Sequence, residues 1–312
     1  MRVNSRIWIL GSSNVDHTFR VNALPVKGST ISSAEARVAM GGKGANQAIA
    51  AAHWGADVHF IGAVGDDDYG KRLLESLVTH GVDTRNVAVI AGAASGQAII
   101  LVDDAGDNVI VVHGGANLQV PVAVAASIEI SEGDLFVAQL ETNLDATEIH
   151  AARARKRGAL TILNPSPCRE LPPALLRNFD LVVANETESS HLGGVSVDDV
   201  RTATRCGQSI RERFGTDAVI TTLGPEGAVL VTKECSFHFP GHPVAAVDTQ
   251  GAGDAFLGSL AARLAERDRI EEAVSFANWV AAQSVTRPGS TRQSLPDPAR
   301  AAGLDLRRFT RL

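Results

Sequence analysis

A carboxylate at the start of a predicted helix has the strongest potential for chemistry in this sequence. Asp254 follows three small residues, Gly251, Ala252 and Gly253, and opens a helix predicted over 254–266. Backbone N–H groups at the beginning of a helix bind anions without any net positive charge. A simple helix cap does not require three small residues before it, whereas a phosphoryl group that passes close to the backbone does. The pattern favours a reacting carboxylate beside an anion-binding loop, with a helix cap as the alternative.

Two further groups of polar residues lie near the first predicted strand and the first predicted helix. The run 41–47 places Lys43 and Asn46 in the first turn of an alanine-rich helix, where adjacent glycines permit close approach of another molecule. Asn14 and Asp16 follow the first strand and could together bind vicinal hydroxyl groups. A tight turn and a turn cap explain the same residues, so spacing alone leaves both interpretations open. The spacing of a Walker-type phosphate loop is absent from the chain.

Two more loops follow predicted strands. Asn185 and Glu188 could hold Mg²⁺ through water molecules, although an amide and a carboxylate at such a position more often cap a helix. The segment 222–227 is a strand–turn–strand junction that could approach a nucleotide or be a plain hairpin. Neither loop decides a function by itself.

Short apolar segments typical of strands alternate with alanine-rich helical segments. Several of these strands are apolar at every position, which is typical of strands covered by helices on both faces. The alternation predicts an α/β fold with a doubly wound, mostly parallel sheet flanked by helices. Predicted strands lie at 6–11, 58–64, 135–140, 159–164, 180–184 and 218–223, and predicted helices at 44–54, 68–80, 145–157, 198–214 and 254–266.

Two regions, 14–40 and 96–113, lack helical periodicity and show the alternation of antiparallel strands. Turn residues at 104–107 link two of these strands. We expect them to form a small inserted β-sheet, a lid over the carboxyl edge of the main sheet, where ligands bind in open α/β sheets. Because no repeat or linker divides the chain, residues 1–312 are predicted to form a single domain.

The composition is that of an ordinary globular protein, and it argues against several classes of function. The chain has 312 residues, 45% hydrophobic and 21% charged, with a formal net charge of −6. Lysine and arginine form no long basic run, so no nucleic-acid partner is expected. The three cysteines are widely spaced, which predicts free thiols in a reducing compartment. No apolar stretch has the length of a signal peptide or membrane span, so a cytoplasmic protein without a membrane partner is expected.

Together, these loops resemble the PfkB-type carbohydrate kinases and, within that family, its ribokinase-like members. The likeness runs from about Ile7 to Pro296, nearly the whole chain. The sequence GGKGANQA at 41–48 is more particular to the ribokinase-like members than the general family pattern is. The other matching segments are 11–16, 139–141, 163–165, 185–188, 222–224 and 248–254.

The resemblance implies phosphorylation of D-ribose at its 5-hydroxyl by ATP, giving D-ribose 5-phosphate and ADP. Asp254 would be the general base, and the amides of Gly251, Ala252 and Gly253 would form the anion hole. The sugar-binding residues that the family implies are Asn14, Asp16, Gly42, Lys43, Asn46 and Glu141, with Asp254 shared. The implied ATP-binding residues are Asn185, Thr222, Gly224, Gly227, Gly253 and Asn278.

The resemblance also implies two metal ions and a homodimer. Glu188 would hold Mg²⁺ through water, and a monovalent cation, usually K⁺, would lie beside the anion hole with Asp248 as its carboxylate. The other residues implied in the K⁺ site are Gln250, Ser284, Arg287, Gly289 and Ser294. The stretch 288–296 is one residue longer than the usual family form. In kinases of this type the inserted strands also pair two subunits, so a homodimer through the lid is expected.

Two alternatives stay open, and a third is set aside. A sister kinase of the same family could act on 2-deoxyribose, fructose or adenosine, although an aromatic content of 4% favours a free sugar over a nucleoside. A non-catalytic sugar-binding sensor would keep the sugar-binding residues but would not need Asp254 and its glycines. A hydride-transfer enzyme is disfavoured because the GxGxxG sequence is missing after the first strand, where 11–14 reads GSSN.

Overall fold

The apolar segments of the sequence form the centre of one large sheet. The computed structural model describes residues 5–289, 294–301 and 303–312. Ile7–Leu10 (β1) and Leu135–Ala138 (β8) pair in parallel at this centre, and all eight of their residues are buried. Strands that are buried on both faces need covering layers on both sides, which the helices provide.

The other elements follow in alternation along the chain. The remaining strands are Asn14–Arg20 (β2), Glu35–Gly41 (β3), Val58–Gly65 (β4), Asp83–Ile90 (β5), Gly96–Val102 (β6), Asn108–His113 (β7), Leu160–Leu163 (β9), Leu181–Asn185 (β10), Ala218–Thr222 (β11), Ala228–Val231 (β12), Ser236–Phe239 (β13) and Thr310–Arg311 (β14). The helices are Lys43–His53 (α1), Asp68–Thr79 (α2), Val124–Ser127 (α3), Leu144–Lys156 (α4), Pro173–Leu176 (α5), Glu186–Gly193 (α6), Val200–Phe214 (α7), Ala252–Ala265 (α8) and Ile270–Ser284 (α9).

The large sheet has ten strands in the order β14-β13-β12-β11-β10-β9-β8-β1-β4-β5. Its strands from β5 to β11 pair in parallel, and β12, β13 and β14 add an antiparallel edge. Two large hydrophobic clusters lie on opposite faces of the sheet. The predicted doubly wound, mostly parallel fold is therefore confirmed.

All six predicted strands and all five predicted helices are present, with ends that differ by up to about two residues. The sequence interpretation placed no strand at β5, β13 or β14 and no helix at α3, α5 or α9. β5 lies at the edge of the sheet, and its burial alternates irregularly, so no apolar run marks it. The strand–turn–strand junction at 222–227 is the antiparallel pair of β11 and β12.

A second sheet of four strands, in the order β3-β2-β6-β7, forms from the two regions that lacked helical periodicity. Its central strands β2 and β6 run parallel, while β3 and β7 pair antiparallel at the two edges. The predicted turn at 104–107 connects β6 to β7. The small inserted sheet is thus confirmed, but the expectation of antiparallel strands is wrong for its central pair, β2 and β6. The single-domain organisation stays a prediction.

Two expectations from the composition can be compared with the structure. The three cysteines, Cys168, Cys206 and Cys235, are free thiols, as predicted. In the part of the chain that the structure describes, no helix has the length and apolar character required to cross a membrane.

The helices α1 and α8 approach each other closely at Gly258. A Cβ atom at this position would lie 2.4 Å from the backbone oxygen of Gln47 and 2.5 Å from the Cβ of Ala50. Only glycine therefore permits this helix spacing. The close contact brings the first turns of the two helices side by side.

We predict that Gly258→Ala lowers the free energy of unfolding by about 1–3 kcal/mol, because the added methyl group overpacks the α1–α8 contact. This loss is expected even though alanine favours helices over glycine by about 1 kcal/mol. Urea unfolding measures the change. The exposed substitution Glu75→Ala on α2 is the control, with an expected change below about 0.5 kcal/mol. A Gly258→Ala variant as stable as the parent protein would contradict the tight contact.

Candidate active site

Asp254 lies in the first turn of α8, where the chain enters the helix through a left-handed residue, Gly251, at φ 73°. The Asp254 side chain is buried, with 9% exposure. Gly253 has an ordinary φ, and a Cβ built on it would meet no described atom within 4 Å. Neither backbone conformation nor packing within the described chain thus requires glycine at 253. The open space above this residue gives a ligand direct access to the helix N-terminus.

The side-chain amides of two consecutive residues of α1 donate hydrogen bonds to the two oxygens of the Asp254 carboxylate. The Nδ2 atom of Asn46 lies 3.2 Å from Oδ2, and the Nε2 atom of Gln47 lies 2.9 Å from Oδ1. Burial raises the pKa of Asp254, while the charge of Lys43 and these two hydrogen bonds lower it; the net shift is upward. The sequence interpretation named Asn46 and Lys43 but gave Gln47 no role.

Asn46 has a second polar atom that is ready for a ligand. Its Oδ1 is buried and has no hydrogen-bond partner among the described residues. Because buried acceptors are almost always satisfied, this oxygen marks a position for a donor such as a hydroxyl group. The predicted site residue Asn46 therefore contacts the carboxylate with one atom and faces a ligand position with the other.

Lys43 and Glu141 bring opposite charges to the same place. Burial lowers the pKa of Lys43, but the carboxylates of Asp254, Glu141 and Glu188 outweigh it and raise that pKa overall. Glu141 accepts hydrogen bonds from the hydroxyl of Ser12 and from the backbone N–H of Lys43, the latter at 3.4 Å. These contacts join the turn after β1, the loop after β8 and the first turn of α1.

The glycines around Lys43 serve packing. Gly42 has φ 95°, and a Cβ there would lie 2.8 Å from the backbone N of Asn14 and from the Cα of Ser13. A Cβ at Gly44 would lie 2.6 Å from the Cα of Gly11. The tight-turn interpretation is therefore correct for these glycines, and the turn they allow brings the polar side chains of Lys43 and Asn46 to Asp254.

Asn14 is oriented by a residue that the sequence interpretation missed. The Nδ2 atom of Asn117 donates to Oδ1 of Asn14 at 2.8 Å, and Oδ1 of Asn117 accepts from the backbone N–H of Ser13 at 3.0 Å. Asn14 Nδ2 is left facing away from this clamp as a donor. Asn117 is buried in a short 3₁₀ helix, Gly115–Gln119, and two glycines before it are its only signal in the sequence.

Asp16 lies on β2 and faces the same group of charges. Burial, then the negative charges of Glu141 and Asp254, raise the pKa of Asp16 to about 7. A carboxyl group that lies in a cleft and has a pKa near neutral pH is common at functional sites. The predicted sugar-facing residues Asn14, Asp16, Gly42, Lys43, Asn46 and Glu141 thus surround one region next to Asp254.

A cavity of about 340 Å³ opens on the other side of the α8 N-terminus. Five of the six predicted nucleotide-binding residues line it: Thr222, Gly224, Gly227, Gly253 and Asn278. The sequence interpretation missed its apolar walls, which include Pro243, Val244, Phe256 and Val285. Asn278 donates to the backbone oxygen of Pro240 at 2.9 Å and so fixes one end of the loop that forms the wall.

A second cavity, of about 610 Å³, lies between the small sheet and the loop before α8. Asp16 and Asp248 line it from opposite sides. Ala246 and Thr249 line both cavities, so the two cavities meet at the loop that leads into α8. This loop leads into the N-terminus of α8, where Ala252 and Gly253 line the first cavity.

Asp248 joins two loops. Its Oδ1 accepts the N–H of Gln250 and its Oδ2 accepts the N–H of Gly289, both at 2.9 Å. A role of Asp248 in binding a monovalent cation stays a prediction. The described residues contain no group of three or more His, Cys, Asp or Glu that could hold a metal ion. Residues 290–293 of the longer stretch 288–296 lie outside the described residues.

The other residues of the implied K⁺ site lie at the end of α9 and beyond it. Ser284 is buried in the last turn of α9, and the backbone N–H of Arg287 donates to its carbonyl oxygen at 3.3 Å. The Arg287 side chain donates to the backbone oxygen of Leu295 at 3.0 Å. Ser294 is buried. A role of these residues in cation binding stays a prediction.

Asn185 and Glu188 form a capping box at the start of α6. Asn185 Oδ1 accepts the N–H of Glu188 at 2.8 Å, and Glu188 Oε2 accepts the N–H of Asn185 at 3.0 Å. The helix-cap interpretation is thus correct for the geometry of this pair. Asn185 does not line the 340 Å³ cavity, whereas the charge of Glu188 acts on Lys43. A role of the pair in Mg²⁺ binding stays a prediction.

Comparison with known proteins gives one consistent family. Residues 4–298 match the model of the pfkB family of carbohydrate kinases. The chain is 37% identical over 290 residues to a ribokinase of Haemophilus influenzae, covering 92% of this chain and 94% of that protein. It is 35% identical over 294 residues to a deoxyribokinase of Salmonella typhi, covering 93% and 95% of the two chains.

Solved structures show the same fold. A ribokinase of Arabidopsis thaliana, complexed with ribose and ATP, superposes with a TM-score of 0.83 at 28% identity, covering 94% of this chain and 96% of that chain. A ribokinase of Thermotoga maritima superposes with a TM-score of 0.83 at 31% identity over 94% of this chain and 96% of that one.

We predict that Asp16→Asn stabilises the protein more at about pH 8 than at about pH 5. The folded-state pKa of Asp16, about 7, lies above the ordinary value of 3.8 that an aspartate has in an unfolded chain. The folded protein therefore binds more protons between these two values, and stability contributed by this group is lost as pH rises through that window. Asparagine removes the loss, with an expected gain of about 1–4 kcal/mol at the higher pH. Thermal unfolding at both pH values measures it, and an equal gain at both would contradict the prediction.

Proposed function

The chain belongs to the pfkB family of carbohydrate kinases, and from this premise we propose that it phosphorylates D-ribose at its 5-hydroxyl. The enzyme is a sugar kinase of the ribokinase type: ATP is the phosphoryl donor, and D-ribose 5-phosphate and ADP are the products. The observation that carries the proposal is the position of Asp254, between a polar region suited to a sugar and an apolar cavity suited to a nucleotide.

Asp254 is proposed as the general base. The 5-oxygen of ribose attacks the γ-phosphorus of ATP, its proton passes to a carboxylate oxygen of Asp254, and the bond from the γ-phosphorus to the bridging oxygen breaks to release ADP. A positioned base contributes about 10²–10⁴-fold to such a step. Asn46 and Gln47 support this role because both donate to the carboxylate and favour its ionised form.

The N-terminus of α8 is proposed as the anion hole. The amides of Gly251, Ala252 and Gly253 would face the negative charge that spreads over the transferring phosphoryl oxygens. The open space at Gly253 supports this placement, because a side chain there would occupy the position of the phosphoryl group. The helix dipole adds a favourable field without any cationic residue.

The sugar is proposed to bind among the polar residues around Asp254. Asn14, oriented by Asn117, donates with its Nδ2, and the unsatisfied Oδ1 of Asn46 accepts from a sugar hydroxyl. Asp16 accepts from vicinal hydroxyls and is ionised more readily once those donors are present. Lys43 and Glu141 bind the remaining hydroxyls. Each of these polar groups would be left unpaired by a sugar that lacks its partner.

ATP is proposed to lie in the 340 Å³ cavity, its base against the apolar walls and its phosphates toward Gly253. Asn185 and Glu188 would hold Mg²⁺ through water at the phosphate end, with the second oxygen of Glu188 as the acceptor. The loops joined by Asp248 would hold K⁺ through its carboxylate and the carbonyls of neighbouring residues. These ions supply positive charge that favours the bound phosphates.

The small sheet is proposed as a lid over the sugar and as the contact between two subunits. Its edge strand β7 is exposed along its whole length and carries Val109, Ile110, Val111 and Val112, with exposures from 45% to 60%. An apolar edge strand without cover is unusual in a monomer.

We expect Ile110→Glu to convert a dimer to a monomer, because it places a charge on this exposed apolar strand. Size-exclusion chromatography with light scattering measures the change. A parent protein that is monomeric at micromolar concentration would contradict the dimer.

We propose the cytoplasm, which contains ATP, as the cellular compartment of this protein.

A kinase for a different sugar is the second candidate, because a deoxyribokinase is nearly as similar to this chain as a ribokinase is. Purified protein with ATP, Mg²⁺ and K⁺ should therefore be assayed on ribose, 2-deoxyribose, fructose and adenosine. We expect the highest kcat/KM on ribose and a loss of activity when K⁺ is replaced by a large organic cation. A higher kcat/KM on another acceptor would overturn ribose as the substrate and leave the kinase assignment intact.

The base is tested separately with Asp254→Asn. Turnover of ribose is expected to fall by about 10²–10⁴-fold or more, because the carboxamide cannot take the proton. The ribose Kd from calorimetry is expected to change by less than about fivefold, since the neighbouring polar groups remain. Unchanged turnover would exclude Asp254 as the base. A parent protein that binds ribose but phosphorylates none of the acceptors would support a sugar-binding sensor instead.

A further inference from the structure

Behind the Asp254 carboxylate, a row of buried amides continues from Gln47 to Gln139, a residue to which the reaction just described gives no part. Gln47 donates from Nε2 to Oδ1 of Asp254 at 2.9 Å, and its Oε1 accepts a hydrogen bond from Nε2 of Gln139. Gln47 is 1% exposed and Gln139 is fully buried. The row runs from the end of β8, through α1, to the first turn of α8.

The direction of these hydrogen bonds follows from the chemistry of the carboxylate. An ionised carboxylate only accepts hydrogen bonds, so Gln47 must present its NH₂ group to Asp254. The carbonyl oxygen of Gln47 then points the other way and needs a donor, which Gln139 supplies. Were Gln139 absent, the Gln47 amide could turn over and present its oxygen to Asp254, which would favour a protonated carboxyl group.

Gln139 is itself held in place. A Cβ on Gly11 would lie 2.2 Å from its Oε1, so only glycine at position 11 leaves room for the side chain. The Oε1 atom has no hydrogen-bond partner among the described residues. A buried amide oxygen without a partner costs free energy, so its presence requires an explanation. The hydrogen bond that Gln139 donates from Nε2 to Gln47 provides one.

Asn164 gives Gln47 a second, weaker contact. Its Oδ1 lies 3.4 Å from Gln47 Nε2, and its own Nδ2 donates to the backbone oxygen of Val183 at 3.0 Å. Both amide hydrogens of Gln47 therefore have acceptors, and the acceptor oxygen has a donor. The amide is fully satisfied in one orientation.

We propose that Gln139 and Gln47 are positioning residues, an amide relay that fixes the direction of the Asp254 carboxylate and keeps it in the ionised form that a general base needs. The inference rests on the proposed kinase reaction for its consequence in turnover. Its structural content, the orientation and ionisation of Asp254, can be measured without turnover. Neither glutamine contacts the sugar in this scheme, so the relay acts through Asp254.

The test uses Gln47→Met and Gln139→Met, which keep chain length and remove the amide. The carboxyl resonance of Asp254, assigned with Asp254→Asn, is followed by NMR as a function of pH in the free protein. Gln47→Met is expected to raise the Asp254 pKa by about one unit, because it removes a hydrogen bond to a charged group. Gln139→Met is expected to raise it by less, and the double variant no further than Gln47→Met alone.

In ribose turnover, Gln47→Met is expected to move the acid limb of the kcat profile to higher pH and lower kcat about tenfold near neutrality. The KM for ribose is expected to change by less than about twofold. Gln139→Met decides the question alone if Gln47→Met does not fold. A parent protein without turnover counts against the kinase assignment, while the NMR titration still tests the relay.

The matched control is Thr161→Val. Thr161 is fully buried and donates a hydrogen bond to the carboxylate of Asp180 at 2.7 Å. It lies near the start of β9, whereas the proposed site lies at the carboxyl ends of the parallel strands. Its loss is expected to lower thermal stability and to leave the Asp254 titration unchanged. An Asp254 pKa that is unaltered in both methionine variants, or a fall in kcat equal at every pH, would overturn the relay.

Discussion

The proposed reaction depends on one carboxylate, Asp254, that must be ionised although it is buried and its burial raises its pKa. Burial of an unpaired charge costs several kcal/mol or more, so such a group must be surrounded by donors or positive charge. Here Asn46 and Gln47 donate to both oxygens and Lys43 supplies the charge. Lys43, Asn46 and Gln47 lie on α1, and the carboxylate lies on α8. The relative position of the two helices therefore determines whether these three side chains reach Asp254.

The packing of α1 against its neighbours depends on three glycines. Gly258 lets α8 approach the backbone of α1, Gly44 lets α1 approach the turn after β1, and Gly42 lets the first turn of α1 pass Asn14. A Cβ at any of these three positions would collide with backbone or Cβ atoms, which cannot swing aside as the end of a flexible side chain can. Packing therefore requires glycine at these three positions, whereas a Cβ at Gly253 would meet open space at the start of α8.

The sequence alone predicted much of this arrangement, for a physical reason. Loops at the carboxyl ends of parallel strands meet at one edge, so Asn14, Lys43 and Asp254 could be expected together from the alternation of elements. The partners behind them could not. Asn117 and Gln139 are recognised only when the chain is folded, since neither has a local pattern and each is buried by elements distant in sequence. The same holds for the wall of the 340 Å³ cavity at 241–246, which lies in an irregular segment without periodicity.

An acidic chain that binds phosphate groups needs a local source of positive potential. Lys43 interacts electrostatically with the carboxylates of Asp254, Glu141 and Glu188, so its positive charge is largely compensated by their negative charges. This supports the proposal that the backbone N–H groups at the start of α8 bind the phosphoryl group, because a helix N-terminus attracts anions regardless of net charge. In the proposed mechanism, Lys43 therefore serves the base and the N-terminus of α8 serves the phosphoryl group. Because the proposed base and the proposed anion-binding amides lie in one turn of α8, the packing of α8 against α1 positions both of them.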